Sequence, residues 1–150
     1  MRLEFEGTLA VAAPADRVWD RLMDPEFVAT CAPGVSAVER IDDTHYRALS
    51  LIGVGSLSFK FGVDIELSDL VPPTSAVMAV RGKAPGSVLD ASSTVHLTKT
   101  GRKTTDLAWT VTADVRGAIA STGARMLKGA AGKLTDKFWE TFAQRAARGR

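Results

Sequence analysis

Apolar and polar residues alternate along several successive segments in the middle of the chain. From Ser56 to Ser68 every second residue is apolar, and the positions between them are polar or glycine. A period of two is typical of a β-strand with one buried face. With the shorter alternating runs on either side, the pattern predicts seven strands, at residues 3–12, 35–41, 46–54, 56–68, 77–83, 89–98 and 107–116.

Two short helices are predicted between the first and second strands. Pro14 suits a first helical turn, and apolar residues then follow at a spacing of three and four as far as Met23. Asp24 can cap a second helix that has Pro25 at its first position. The connections between the later strands are short, which predicts an antiparallel meander with one solvated face.

A long helix is predicted from about Ala118 to Ala146. It is the one long amphipathic element in the sequence, so we expect it to cover the apolar face of the sheet. The fold class is then α+β, a curved seven-stranded antiparallel sheet wrapped around a long C-terminal helix, as one domain over residues 1–146 with a frayed tail at 147–150. The apolar or small positions on its buried side are Ile119, Gly123, Met126, Leu127, Ala130, Leu134, Phe138 and Phe142.

Small residues are unusually frequent in this helix. Gly123, Gly129 and Gly132 fall inside the predicted helix, where each glycine costs about 1 kcal/mol relative to alanine. One explanation is a close approach of the helix backbone to the sheet. The other is a space between helix and sheet that holds an apolar ligand, and the pattern does not decide between them.

The candidate ligand site is the set of residues that would line such a space. The alternative for the same residues is a solid hydrophobic core. In the predicted strand at 46–54, we favour the register that turns Tyr46 and Ala48 inward and Leu49 and Leu51 outward. The predicted cavity residues are Phe27, Tyr46, Phe59, Phe61, Met78, Trp109, Val111, Gly123, Met126, Leu127 and Ala130.

Charge is distributed unevenly along the chain. The net charge is +2, but the segment from Arg116 onward has eight basic residues and two acidic ones, a net charge of +6, while the rest of the chain has −4. Such a helix could face a lipid surface, an acidic protein or a nucleic acid, or could simply be solvated, with cations that suit the helix dipole. The predicted contact residues are Arg125, Lys128, Lys133 and Lys137.

Signals for catalysis are weak. Cys31, His45 and His96 do not have the spacing of metal ligands, and no nucleophile or phosphate-binding motif is present. We therefore expect no catalytic residue and no metal, although an inward Tyr46 is the candidate acid if the protein is an enzyme. A single cysteine and the lack of a long apolar run predict a cytoplasmic protein without a spanning segment.

Several short motifs in order make the sequence resemble a known family. Together with the glycine- and alanine-rich helix, their order and spacing resemble the family of the G subunit of carbon monoxide dehydrogenase. That family belongs to the helix-grip superfamily of START and birch-pollen-allergen proteins. The motifs are PADRVW at 14–19, DPE at 24–26, CAPG at 31–34, GVG at 53–55 and SDLVPP at 68–73.

The resemblance implies a non-catalytic accessory protein. Such a protein would bind a hydrophobic small molecule, a quinone or a lipid-like one, and would have no cofactor of its own. Its partners would be the subunits of a molybdenum-hydroxylase-type dehydrogenase at the inner face of the cytoplasmic membrane, and it would not bind nucleic acid. The rival hypotheses are a cyclase or dehydratase of the same fold, and an interaction module without a ligand that docks through the basic helix or through Leu49 and Leu51.

Overall fold

Seven antiparallel strands form one open sheet. The computed structural model describes residues 1–148. The sheet order is β1-β7-β6-β5-β4-β3-β2, so that the first and last strands of the chain are neighbours. The predicted fold class is confirmed. The strands are β1 (Arg2–Val11), β2 (Val35–Arg40), β3 (His45–Val54), β4 (Leu57–Val71), β5 (Ser75–Ala84), β6 (Ser87–Gly101) and β7 (Thr104–Gly117).

Two short helices follow β1, as predicted. They are α1 (Ala15–Leu22) and α2 (Pro25–Cys31). The carboxylate of Asp24 accepts hydrogen bonds from the backbone N–H groups of Glu26 and Phe27, at 3.1 and 3.3 Å. This cap satisfies two of the N–H groups that a helix start leaves without a partner, and it fixes where the second helix begins.

The long helix, α3, begins later than the sequence predicts. It spans Ala124–Ala147, and the expected start at Ala118 is wrong. The preceding segment is held by the β5–β6 turn, where the Ser87 hydroxyl accepts the N–H of Ile119 at 3.0 Å. Gly123 then has a φ of +104°, a backbone conformation that favours glycine. Gly123 therefore precedes the helix and is not one of its interior glycines.

The end of α3 lies close to the predicted end. Ala147 is still helical and Arg148 is in a turn, so the helix extends one residue into the tail predicted at 147–150. Gly149 and Arg150, the rest of that tail, lie outside the described residues.

The hydrophobic core is divided into two clusters along α3. The first surrounds Trp19, Trp109 and Phe142 and includes side chains from α1 and α2. The second surrounds Phe61 and Leu127, beneath the N-terminal half of α3. The sheet is therefore covered near both ends of the helix, and the covering of its middle decides whether a ligand can enter.

We predict that Gly117→Ala destabilises the protein by about 2 kcal/mol, as expected for a residue forced into a strained conformation. Gly117 has a φ of +89°, and an added Cβ would overlap with the carbonyl oxygen of Gly86. The matched control is Gly62→Ala in β4, where an added Cβ would meet no atom within 4 Å. Urea unfolding measures both variants, and equal midpoints would contradict the packing of this turn.

Candidate functional site

An open groove runs along the N-terminal half of α3. It has a volume of about 590 Å³ and lies between the helix, the α2–β2 turn and the β3–β4 turn. We call it the α3 groove. Small and apolar residues form much of its surface, and three basic side chains lie along it. The residues that line it are Pro33, Gly53, Gly55, Arg125, Met126, Gly129, Ala130, Lys133, Leu134 and Lys137.

The two turns that border the groove depend on glycines with positive φ. Gly34, with a φ of +78°, accepts a hydrogen bond from the backbone N–H of Leu51 at 2.9 Å, which attaches the α2–β2 turn to β3. Gly55 has a φ of +62°, and a Cβ there would lie 2.9 Å from Sδ of Met126. Met126 therefore extends from α3 to the β3–β4 turn and forms part of the groove surface.

Close packing does not explain the glycines inside α3. A Cβ on Gly129 would have no atom within 4 Å, and a Cβ on Gly132 would lie 3.6 Å from Cε1 of Phe5, an ordinary van der Waals distance. Alanine would therefore fit at both positions without a clash. A close backbone approach is therefore not needed to explain these two glycines, and Gly129 is exposed and lines the open α3 groove.

The middle of the concave sheet face is incompletely covered. Ile65, Val80 and Ala91 are neighbours across β4, β5 and β6, and Leu67 and Met78 form the next row. All five side chains are only half-buried, although they are on the same face as the fully buried core positions. Apolar surface that stays partly open on the inner face of a sheet favours the binding of another apolar molecule.

The structure separates the predicted cavity residues into several groups. Met126 and Ala130 line the α3 groove. Phe59, Met78 and Val111 are half-buried on the concave face. Phe61 and Leu127 are buried in the second core cluster, and Gly123 is exposed before the helix.

Trp109 and Phe27 belong to an aromatic cluster in the first core. The Trp109 ring stacks on Trp139 with the centroids 5.7 Å apart, and the Phe27 ring contacts Phe142 edge-on at 5.7 Å. The Trp109 ring also lies against Gly7 of β1, where an added Cβ would be 2.8 Å from the ring. These two predicted cavity residues lie in packed core and not along the groove. Trp139 is absent from the predicted buried stripe, since its spacing falls outside that stripe.

Tyr46 is buried at the end of the β2–β3 hairpin. Its side chain and that of Ala48 are 5% exposed while Leu51 is 54% exposed, so the predicted register is confirmed. The Tyr46 hydroxyl donates to the backbone carbonyl of Asp43 at 3.0 Å. Burial raises the pKa of this phenol above its ordinary value. The hydroxyl is thus engaged within its own hairpin.

Three of the four predicted contact residues lie along the α3 groove. They are Arg125, Lys133 and Lys137, whereas Lys128 is exposed and outside the groove. Within residues 1–148, the ion pairs formed by other basic residues all involve strands or the β2–β3 hairpin, as in Arg47 with Asp64 at 3.0 Å. The cations of α3 have no carboxylate within 4.0 Å in that part of the chain, so they can meet an external anion.

The groove suits binding better than proton transfer. Its lining contains no acidic residue, histidine or cysteine. Over the described range there is no cluster of three or more such side chains that could hold a metal ion. Cys31 is buried beside the groove, and burial raises the pKa of its thiol. No helix within 1–148 is both long enough and apolar enough to cross a membrane.

An open antiparallel sheet wrapped around a C-terminal helix, with short helices after the first strand, defines the helix-grip class. The family model for CoxG, the G subunit of carbon monoxide dehydrogenase, matches residues 7–147. The chain therefore belongs to that family, as its motifs predict. No curated protein matches the sequence significantly.

Solved structures share the fold of this chain. A conserved protein from Geobacillus kaustophilus is 29% identical, with a TM-score of 0.88, over 97% of this chain and 96% of that one. A START superfamily protein from Mycobacterium smegmatis is 14% identical, with a TM-score of 0.73, over 98% and 99%. The Zhui aromatase/cyclase from Streptomyces sp. R1128 is 21% identical, with a TM-score of 0.72, over 99% and 95%. The last two show a shared fold.

We predict that Gly129→Ala stabilises the protein by about 1 kcal/mol, because alanine favours the helix and the new Cβ contacts nothing. Gly7→Ala serves as the contrasting variant and should be destabilising, because its Cβ would press on the Trp109 ring. Chemical unfolding gives both values. A loss of stability in Gly129→Ala would show that the helix is closely packed after all.

Proposed function

We propose that this protein binds a hydrophobic small molecule, a quinone or a lipid-like one, between α3 and the sheet. In this proposal it serves a molybdenum-hydroxylase-type dehydrogenase at the cytoplasmic membrane and does not catalyse a reaction itself. The observation that carries the proposal is the open groove of about 590 Å³ that Gly129 lines together with Ala130 and Leu134. A helix glycine costs about 1 kcal/mol relative to alanine, and no contact of the folded protein requires this one.

The size and surface of the groove support a small apolar ligand. Its volume of about 590 Å³ falls within the roughly 300–1,000 Å³ typical of small-molecule sites. Ala130, Leu134 and Met126 offer apolar contacts along the helix, and each buried methylene of a ligand contributes about 0.8 kcal/mol. An isoprenoid or acyl chain that covered this surface could bind without a specific polar contact.

The dehydrogenase partner and the membrane are supported by the family and by charge. The family description names a subunit of carbon monoxide dehydrogenase, which favours an accessory role beside that enzyme or a related one. Arg125, Lys133 and Lys137 have no carboxylate partner among the described residues. Near an anionic leaflet, each basic side chain contributes about 1 kcal/mol. Reversible contact with the membrane would place the groove where a membrane-borne ligand could enter.

An enzyme of the same fold is the second candidate. The aromatase/cyclase with this fold is an enzyme by its name, and Tyr46 is the acid that this hypothesis needs. The Tyr46 hydroxyl, however, is bound to the Asp43 carbonyl, and the groove lining lacks acidic side chains and histidine. The engaged hydroxyl and the absence of acidic side chains and histidine from the groove lining favour binding without catalysis.

The first test of the proposal is Gly129→Leu. The leucine side chain would occupy the open space, so we expect at least about tenfold weaker binding of a short-chain menaquinone, which corresponds to about 1.4 kcal/mol, with no loss of stability. Ala124→Leu is the matched control, because Ala124 is exposed at the start of α3 and outside the groove. Quenching of tryptophan fluorescence measures binding. The proposal fails if neither a quinone nor a lipid binds the unmodified protein, and the site is wrong if both variants bind equally well.

The second test separates binding from catalysis at Tyr46. Tyr46→Phe removes the hydroxyl and its hydrogen bond to Asp43, which should reduce the free energy of unfolding by about 1 kcal/mol. We expect the affinity for the quinone to stay within about twofold of the original, a change of less than about 0.5 kcal/mol. A chemically altered quinone after incubation with the original protein, but not with Tyr46→Phe, would instead favour the enzyme.

A further inference from the structure

A second depression adjoins the α3 groove toward the C-terminal end of the helix. It has a volume of about 420 Å³ and lies between α3 and the end of α2. We call it the polar pocket. Pro33 and Lys137 line both the polar pocket and the α3 groove, so the two depressions meet at these residues and form one path along the helix.

The two halves of this path differ in chemistry. The α3 groove has Ala130 and Leu134 on the helix, whereas the polar pocket has Thr141, Gln144 and Arg145 further toward the helix C-terminus. All of the charged side chains that line either half are basic. The path therefore has basic side chains along its whole length, while its lining changes from apolar helix residues in the α3 groove to side chains that can donate hydrogen bonds in the polar pocket.

The cations of the polar pocket are available to an external group. Within 1–148, neither Lys137 nor Arg145 has a carboxylate within 4.0 Å. Arg145 is half-buried and close to α2, where its charge partly opposes the rise in the thiol pKa of Cys31 that burial causes. A guanidinium held between two helices has less freedom to lose when it binds an oxyanion than one on a mobile surface side chain.

The helix dipole does not account for this arrangement. Basic residues in the last turn of a helix are stabilised by the negative end of the dipole, but the effect falls off within that turn. Arg145 is in the last turn of α3, while Lys137 lies more than two turns before the helix ends at Ala147. Lys133 lies a further turn back, along the same groove.

We infer that the polar pocket holds the carboxylate or phosphate of a single-chain anionic amphiphile whose hydrocarbon chain lies in the α3 groove. The inference rests on the proposed function and selects, among hydrophobic ligands, those with a charged end over a neutral quinone. Arg145 forms the charge-assisted hydrogen bonds, Lys137 supplies the second positive charge, and the Thr141 hydroxyl can donate a further bond. The helix from Arg125 to Lys137 rises roughly 18 Å at about 1.5 Å per residue, a length comparable with the extended chain of a common fatty acid.

The test compares ligands that share one chain and differ in the head group. Palmitate, palmitoyl lysophosphatidate and hexadecanol are titrated below the concentrations at which they form micelles, together with a short-chain menaquinone. We expect one or both anionic ligands to bind at least about tenfold more tightly than hexadecanol, as expected for a hydrogen bond to a charged group. The tighter of the two anions identifies the head group as a carboxylate or a phosphate. Added salt should weaken the binding of the anions and leave that of hexadecanol unchanged.

Variants show whether the preference for anionic ligands comes from the polar pocket. Arg145→Gln should weaken the anionic ligand by about tenfold or more and leave hexadecanol unaffected. Lys128→Gln is the matched control, since it removes one charge from α3 outside both depressions. Because Arg145 is half-buried, the exposed Lys137→Gln provides a second variant with less risk to folding.

The outcomes separate this inference from the proposed function. Equal affinities for the anions and hexadecanol, or unchanged anion binding in both Arg145→Gln and Lys137→Gln, overturn the inference and leave a hydrophobic ligand in place. The absence of binding for all four ligands overturns both. Preferential binding of an anion that is lost in the two variants and kept in Lys128→Gln supports both.

Discussion

The structure depends on the way α3 is fixed to the sheet at its two ends. At the N-terminal end, Ile119 and Leu127 enter a cluster with Phe61. At the C-terminal end, Trp139 and Phe142 pack against aromatic rings from β7 and α2. Bulky side chains fix the helix at both ends, whereas Ile65, Val80 and Met78 near the centre of the inner sheet face stay only half-buried. Protein interiors are normally packed to high density, so this partly open apolar face calls for a functional explanation.

Charged residues are arranged differently on the outer face of the sheet and along α3. On the outer face of the sheet, basic and acidic residues alternate across neighbouring strands and pair with one another, as Arg81 and Arg116 do with Asp90. Along α3 the cations lie beside the grooves without such partners in the described part of the chain. Exposed ion pairs contribute little to stability, but the cations beside the grooves remain able to meet an external anion. The open apolar surface and the unpaired cations therefore lie side by side.

Periodicity was enough to predict the sheet and the faces of its strands. The alternation in β4 and β3 placed Phe61 and Tyr46 on the inner face correctly, because a period of two assigns every side chain to one side. The start of α3 was not predictable in the same way. It depends on Ser87 at the start of β6, which is distant in sequence and accepts a hydrogen bond from the N–H of Ile119. Local spacing contains no information on such a partner.

The candidate site was predictable only in part, for a related reason. The alternation along a strand shows which face of the sheet a residue occupies, but not whether the helix covers that residue. The sequence therefore could not show that Trp109 is buried in the core while Met78 stays half-buried. The walls of the α3 groove come from the turns at Pro33 and Gly55, whose positions follow from hydrogen bonds such as that between Leu51 and Gly34. Of the two glycines inside the helix, Gly129 lines the groove and Gly132 lies near Phe5 of β1, a difference that the sequence does not show.

The most direct measurement is the set of nuclear Overhauser effects between a bound ligand chain and the methyl groups that line the α3 groove. The methyl groups of Met126, Ala130 and Leu134 line the groove, whereas the methyl group of Ala124 is exposed outside it. A ligand in the groove should give cross-peaks from its chain protons to the three groove residues and none to Ala124. A bound ligand that gives no cross-peak to any of the three would contradict the account.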